Sequence, residues 1–292
     1  MSDAALGGAE PVRRTEEIED PSNLYFIHPL SARLVPLCAR LGVKPNAVSL
    51  AGMACGLLAG LSYYFYQNTG CAILGFALML AWHVLDGADG QLARLTKSYS
   101  ELGKVLDGIC DYVTFTAVYA GLALALSHQL GPWVWALAAL SGLAHAVQSA
   151  AYEMQRQEYN FWGWGRNSAA LPELRARPRG LAGWLHHLYA RVQVWASGGA
   201  AEFHTRFARI FAARPAQQKA LRAAYRAAFA PLVRRWGVLS ANYRTLAIFI
   251  AALLKLPVLY FVFEILGLGA AMLVLLEAQR QQYKAFLAGL TR

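Results

Sequence analysis

Residues 71–126 read CAILGFALMLAWHVLDGADGQLARLTKSYSELGKVLDGICDYVTFTAVYAGLALAL. Two apolar runs, roughly Cys71 to Leu95 and Leu102 to Leu126, flank a short polar turn. Each run is long enough to cross a bilayer, for which a helix needs about 20 apolar residues. Each also carries two acids, Asp86 and Asp89 in the first and Asp107 and Asp111 in the second. The runs predict membrane-spanning helices, and the acids predict that the pair is more than an anchor.

Helical spacing sorts these residues. Asp86, Asp89, Gly90, Ala93 and Arg94 fall at offsets 0, 3, 4, 7 and 8, and Gly103, Asp107 and Asp111 at 0, 4 and 8, one face in each helix. The short turn predicts antiparallel neighbours, so the two faces can meet near one end. A carboxylate near the centre of a span costs about 2.5–3.5 kcal/mol on insertion scales. Four together repel one another unless cations bind. Hard cations with oxygen ligands, Mg²⁺ or Mn²⁺ with Ca²⁺ as a substitute, suit them best. The glycines and Ala93 leave room for a bulky polar ligand, and Arg94 suits a phosphate oxygen. Carboxylates, a divalent metal and an arginine together describe phosphoryl chemistry on a pyrophosphate. Two other readings are pairing of the acids with Arg94, Lys97 and Lys104, and an ion or proton pathway.

The rest of the chain agrees with a membrane setting. Of 292 residues, 57% are hydrophobic and 15% charged, against about 25% charged in soluble domains. The net charge of +10 then points to anionic membrane surfaces rather than nucleic acid. Cys38, Cys55, Cys71 and Cys110 form no CxxC pair and read as small buried hydrophobes. Further apolar stretches, roughly Ala47–Tyr66, Trp133–Tyr152, Leu246–Phe263 and Leu266–Tyr283, bring the spans to six, the last two joined by a turn at Glu264. Lys and Arg alternate between connections, which predicts cytoplasmic termini and a cytoplasmic aspartate site.

Four segments are expected. Residues 1–22 read as a disordered cytoplasmic tail. Residues 23–154 hold an amphipathic interfacial helix and the first four spans. Residues 155–242 form a basic, aromatic-rich helical insertion on the cytoplasmic side, whose helices are expected to lie on anionic headgroups. Residues 243–292 carry the last two spans. Within these, His83 suits a hydrogen bond near Asp86 or simple packing, and His145, Glu153 and Arg156 stand where an acceptor could be met. His186-His187 reads as a solvated pair, and Lys255 as a costly lysine near midplane.

The run Asp86-Gly-Ala-Asp89-Gly90-Gln-Leu-Ala93-Arg94, eight residues, Gly103-Lys-Val-Leu-Asp107-Gly-Ile-Cys-Asp111 resembles the signature of the CDP-alcohol phosphotransferase family, with every fixed position filled. Lys44-Pro45-Asn46-Ala-Val-Ser49 is similar to the family's opening. The resemblance covers roughly Leu24 to Tyr152 and the last two spans in outline, and residues 155–242 exceed the family's usual connection. It implies that Asp86, Asp89, Asp107 and Asp111 hold two Mg²⁺ or Mn²⁺ ions gripping the pyrophosphate of a CDP-linked donor. Gly90, Ala93 and Arg94 would line the CDP site, with Asn46, Ser49 and Ser100 as further contacts. Asp111 would also be the general base toward an acceptor hydroxyl, with CMP leaving. CDP-diacylglycerol with a polar alcohol acceptor is the expected pairing. A CDP-choline or CDP-ethanolamine donor with a lipid hydroxyl is the alternative, and a catalytically silent membrane binding protein is the rival from another class. A homodimer is implied by the resemblance alone.

Overall fold

The computed structural model describes residues 15–98, 101–166, 191 and 200–290, with backbone alone for 101–107. Among the described residues there are helices and turns and no strand. Six helical stretches are long and apolar enough to cross a membrane: Pro45–Tyr64, Thr69–Thr96, Gly108–Leu130, Trp133–Trp164, Pro215–Leu253 and Val258–Leu290. The chain is a multi-pass, all-α membrane protein.

A π-helical turn, Asn23–Ile27, leads into α1 (His28–Arg40), which turns Ser31, Val35 and Cys38 inward and leaves Tyr25, Phe26, Leu37 and Leu41 exposed. Next come α2 (Pro45–Tyr64), α3 (Thr69–Thr96), α4 (Glu101–Leu130) and α5 (Trp133–Trp164). Pro45 starts α2, where a missing N–H costs nothing. Asn68 caps α3 by accepting from the Gly70 N–H at 2.8 Å. Gly165, at φ +70°, closes α5. Then follow α6 (Ala200–Ala213), α7 (Gln218–Trp236), α8 (Ala241–Leu253) and α9 (Val258–Leu290), the last with a π-helical turn, Phe263–Leu268.

α2 is the spine. Its most extensive neighbours are α3 and α4, and α3 and α4 meet each other through side chains such as Trp82 edge-on to Phe115. α2 thus packs along both aspartate helices while they also touch each other. The reason is the small-residue face of α2. A Cβ on Gly56 would lie 2.1 Å from Thr114 Oγ1, and one on Gly60 2.5 Å from the Ala117 backbone. Only glycine lets α4 approach this closely, as small residues do between membrane helices.

Three expectations change. The break between the last two spans falls at Leu254–Pro257, not at Glu264. Lys255 there takes φ +60°, and Pro257 restarts the helix. Lys255 is no midplane residue: its Nζ donates to the Tyr66 carbonyl at 2.7 Å and to Thr69 Oγ1 at 3.1 Å, at the opposite end from the aspartates. Glu264 lies fully buried against Arg244, Nε to Oε1 3.0 Å. An acid that reads as a turn residue is the partner of an arginine twenty positions earlier.

The second change concerns the tail. Residues 15–22 are packed, not disordered. Ile18 enters an aromatic cluster, Thr15 bonds Asn160 at 2.6 Å, and the Glu17 and Asp20 carboxylates accept from Tyr159 and Ser240. The third concerns the insertion. Phe203, Phe207, Tyr225 and Phe229 are buried together with Tyr159, Trp162 and Tyr283. They pack ring on ring, Phe203 on Tyr283 and Tyr225 on Phe229 each at 4.3 Å, so these faces meet protein rather than headgroups. Burying aromatic faces against each other gains more than leaving them half-wet at an interface. His186 and His187 lie outside the described residues.

Candidate functional site

Asp86 and Asp89 stand in the last third of α3, one turn apart. Asp86 is half-buried. Asp89 is 6% exposed and accepts from Ser49 Oγ on α2 at 2.5 Å. The opposite face of this part of α3 rests on α1. Ser31 Oγ donates to the Val84 carbonyl at 2.7 Å, and a Cβ on Gly87 would lie 2.7 Å from that same hydroxyl. Gly87 is therefore the contact that seats α1 behind the aspartate face.

Arg94 lies back along the same face. Its Nη1 would be 3.5 Å from a Cβ on Gly90. The guanidinium thus folds back over Gly90 at ordinary contact distance, and Ala93 is half-buried next to it. On α4, Asp111 is exposed and its neighbour Cys110 is buried. The Cys110 thiol donates to the Ser49 carbonyl at 3.6 Å. Asn46 is half-buried in the first turn of α2. The side chain of Asp107 and all of Ser100 lie outside the described residues.

Asp86, Asp89 and Arg94 therefore share one face, and Ser49 joins them through Asp89. Among the described residues no three potential ligands cluster closely enough to hold a metal ion. The carboxylate oxygens of Asp86 and Asp89, with a hydroxyl behind one of them, are a hard donor set of the kind Mg²⁺ or Mn²⁺ takes. Ser49 is nearer the site than its sequence position conveys. The signal was its helical phase: it precedes Gly52, Gly56 and Gly60 on the buried face of α2.

The other polar residues of the spans form a separate buried network. His83 Nε2 meets Thr245 Oγ1 at 2.9 Å, so it packs against α8. His145 Nδ1 bonds the Tyr119 hydroxyl at 3.0 Å, and Tyr119 bonds Tyr260 at 2.7 Å. Tyr260 donates to Glu264 at 2.6 Å, and Arg244 donates to Gln148 Oε1 at 2.8 Å. Arg156 is engaged by Glu153 at 3.2 Å and by Glu19 at 3.7 Å. Sequence spacing held no sign of the Arg244–Glu264 pair.

Comparison with known proteins gives a consistent result. Residues 43–173 match the family model of CDP-alcohol phosphatidyltransferases. Archaetidylinositol phosphate synthase of Pyrococcus horikoshii is 37% identical over 93 residues, which is 32% of this chain and 47% of that protein. CDP-diacylglycerol–serine O-phosphatidyltransferase of Bacillus subtilis is 31% identical over 97 residues, 33% of this chain and 52% of that protein. Mouse cholinephosphotransferase 1 is 31% identical over 144 residues, 42% of this chain and 35% of that protein. The chain thus spans about half the length of these relatives or less. The matched segment holds α2, α3, α4 and the whole aspartate motif, and through that segment the chain is similar to the CDP-alcohol phosphatidyltransferases.

Proposed function

We propose that this protein transfers a substituted phosphate from a CDP-alcohol to the hydroxyl of an acceptor alcohol and releases CMP. CDP-diacylglycerol is the donor and a polar alcohol the acceptor. The observation that carries this reading is the shared face of Asp86, Asp89 and Arg94, with the guanidinium folded back over Gly90. Asp86, Asp89, Asp107 and Asp111 would hold two Mg²⁺ or Mn²⁺ ions, whose chemistry is to neutralise the pyrophosphate and make CMP a better leaving group. Arg94 binds a phosphate oxygen, and Gly90 and Ala93 admit the nucleotide beside the helix. Asn46 and Ser100 stand as further nucleotide contacts. Asp111 takes the proton of the acceptor hydroxyl as its oxygen bonds to the lipid-bearing phosphorus. The bond from that phosphorus to the CMP oxygen breaks. The site faces the cytoplasm with both termini, as the distribution of Lys and Arg supports.

The likeness to a CDP-diacylglycerol-using serine transferase supports the CDP-diacylglycerol donor. Likeness to mouse cholinephosphotransferase 1 favours the second reading, a CDP-linked head group donated to a lipid hydroxyl. A second copy of this chain is a proposed partner, on the family resemblance. CMP release by the purified protein with Mg²⁺, over CDP-diacylglycerol, CDP-choline and CDP-ethanolamine and a panel of acceptors, tests the proposal. Release only with CDP-diacylglycerol is expected. No CMP with any donor, or full turnover by Asp107→Ala, would refute it, and full turnover by Asp111→Asn would remove Asp111 from the base role.

A further inference from the structure

We propose that Ser49 is a positioning residue that fixes Asp89 and links the two halves of the aspartate motif. The inference rests on reading the aspartates as divalent-metal ligands. Ser49 is 7% exposed, in the second turn of α2 and outside the motif itself. Its hydroxyl has one proton and two acceptors within reach, the Pro45 carbonyl at 3.3 Å and Asp89 Oδ2 at 2.5 Å. A helical serine ordinarily returns its proton to the carbonyl one turn back. Here the much shorter contact assigns it to the carboxylate.

That bond does two things. A hydroxyl donor stabilises the ionised carboxylate in a buried place, where charge without a donor is costly. It also locks the Asp89 rotamer, as outer partners do for metal-binding carboxylates. The carbonyl of the same residue accepts from the Cys110 thiol, beside Asp111 on α4. The glycines that follow on this face of α2 bring α4 into near backbone contact. Asp89 of α3 and the Asp111 end of α4 are therefore referenced to one residue of α2. Ser49 acts on the nucleotide donor through Asp89, not by touching it.

The test uses the full chain in lipid nanodiscs, with Mn²⁺ as the probe. Binding is read by loss of the free-Mn²⁺ spin-resonance signal, and thermal melting is followed with Mg²⁺ and with chelator. Ser49→Ala is expected to require about 10- to 100-fold more Mn²⁺ for half-saturation, with the melt in chelator little changed. Ser49→Thr, which keeps the hydroxyl, is expected to restore most of that affinity. An Mn²⁺ titration of Ser49→Ala superimposable on wild type, while Asp89→Ala loses binding, would overturn the role of Ser49 alone. A melt lowered equally with and without metal, at unchanged Mn²⁺ affinity, would show packing only and would also overturn it. Unchanged binding by Asp89→Ala would remove the metal reading beneath it.

Discussion

The Arg244–Glu264 pair gives the sharpest stability test. Both side chains are 0% exposed, with Nε and Oε1 3.0 Å apart. At that separation and an effective dielectric constant of about 20, the Coulomb attraction is roughly 5 kcal/mol. Removing two ions from water costs several kcal/mol each, so the intact pair adds little net stability. Breaking it is another matter. Glu264→Leu leaves a guanidinium buried, still bonded to the Gln148 side chain and the Leu239 carbonyl but without its counter-charge. Arg244→Met leaves a carboxylate held only by uncharged hydroxyls such as Tyr260. Each single change is expected to cost about 3–5 kcal/mol. The double variant is expected to cost at least about 2 kcal/mol less than the sum, since it strands no charge. Denaturant unfolding in detergent micelles, followed by tryptophan fluorescence, measures all three. Single variants within about 1 kcal/mol of wild type, or an additive double variant, would refute the argument that this pair is a desolvated charge couple.

Gly60→Ala places a methyl 2.5 Å from the Ala117 backbone, so α4 must move off α2. A loss of about 1–3 kcal/mol is expected from overpacking, with reduced CMP release, since α4 carries Asp111; unchanged melting and turnover would refute it. Glu158 is buried and accepts from Tyr225 at 2.9 Å and Tyr283 at 2.5 Å, with His204 Nε2 at 3.5 Å. Glu158→Gln removes the charge from those bonds and is expected to cost about 1–3 kcal/mol while leaving the acceptor KM unchanged. A KM effect without a stability loss would refute that assignment. Arg156→Ala is expected to loosen residues 15–22, which Arg156 holds through Glu19. Faster proteolysis near Ile18 at unchanged acceptor KM is the readout, and a raised KM with an intact tail would assign Arg156 to the acceptor instead.

The sequence and the structure agree where the controlling physics is local. Asp86, Asp89, Gly90 and Arg94 lie within one helix, so spacing alone puts them on one face, and the structure keeps them there. Apolar runs mark spans for the same reason. Agreement fails where the partner is distant in sequence. Glu264 looks like a turn until Arg244 is beside it. Phe203 and Tyr225 look like interfacial anchors until Tyr283, from the far end of the chain, stacks on Phe203. Residues 15–22 are as polar as a free tail, yet Ile18 has the cluster of α5, α6 and α7 to enter.

The break at Lys255 sharpens this point. Glu264 interrupts the apolar pattern and Lys255 does too, and both are charged residues in a segment of about the right length for a pair of spans. Polarity therefore cannot choose between them. Backbone chemistry can: Pro257 cannot continue a helix's hydrogen bonds, and Lys255 in the left-handed region ends one. Lys255 then spends its charge on the Tyr66 carbonyl and Thr69 hydroxyl of the neighbouring turn, which needs no counter-ion. Glu264 has no carbonyl to use, being an acceptor, and must find donors. Its donors are Arg244 and Tyr260, deep between α8 and α9. The lysine at the break is satisfied by oxygens of the neighbouring turn, and the glutamate inside the helix by the Arg244 and Tyr260 donors that face it.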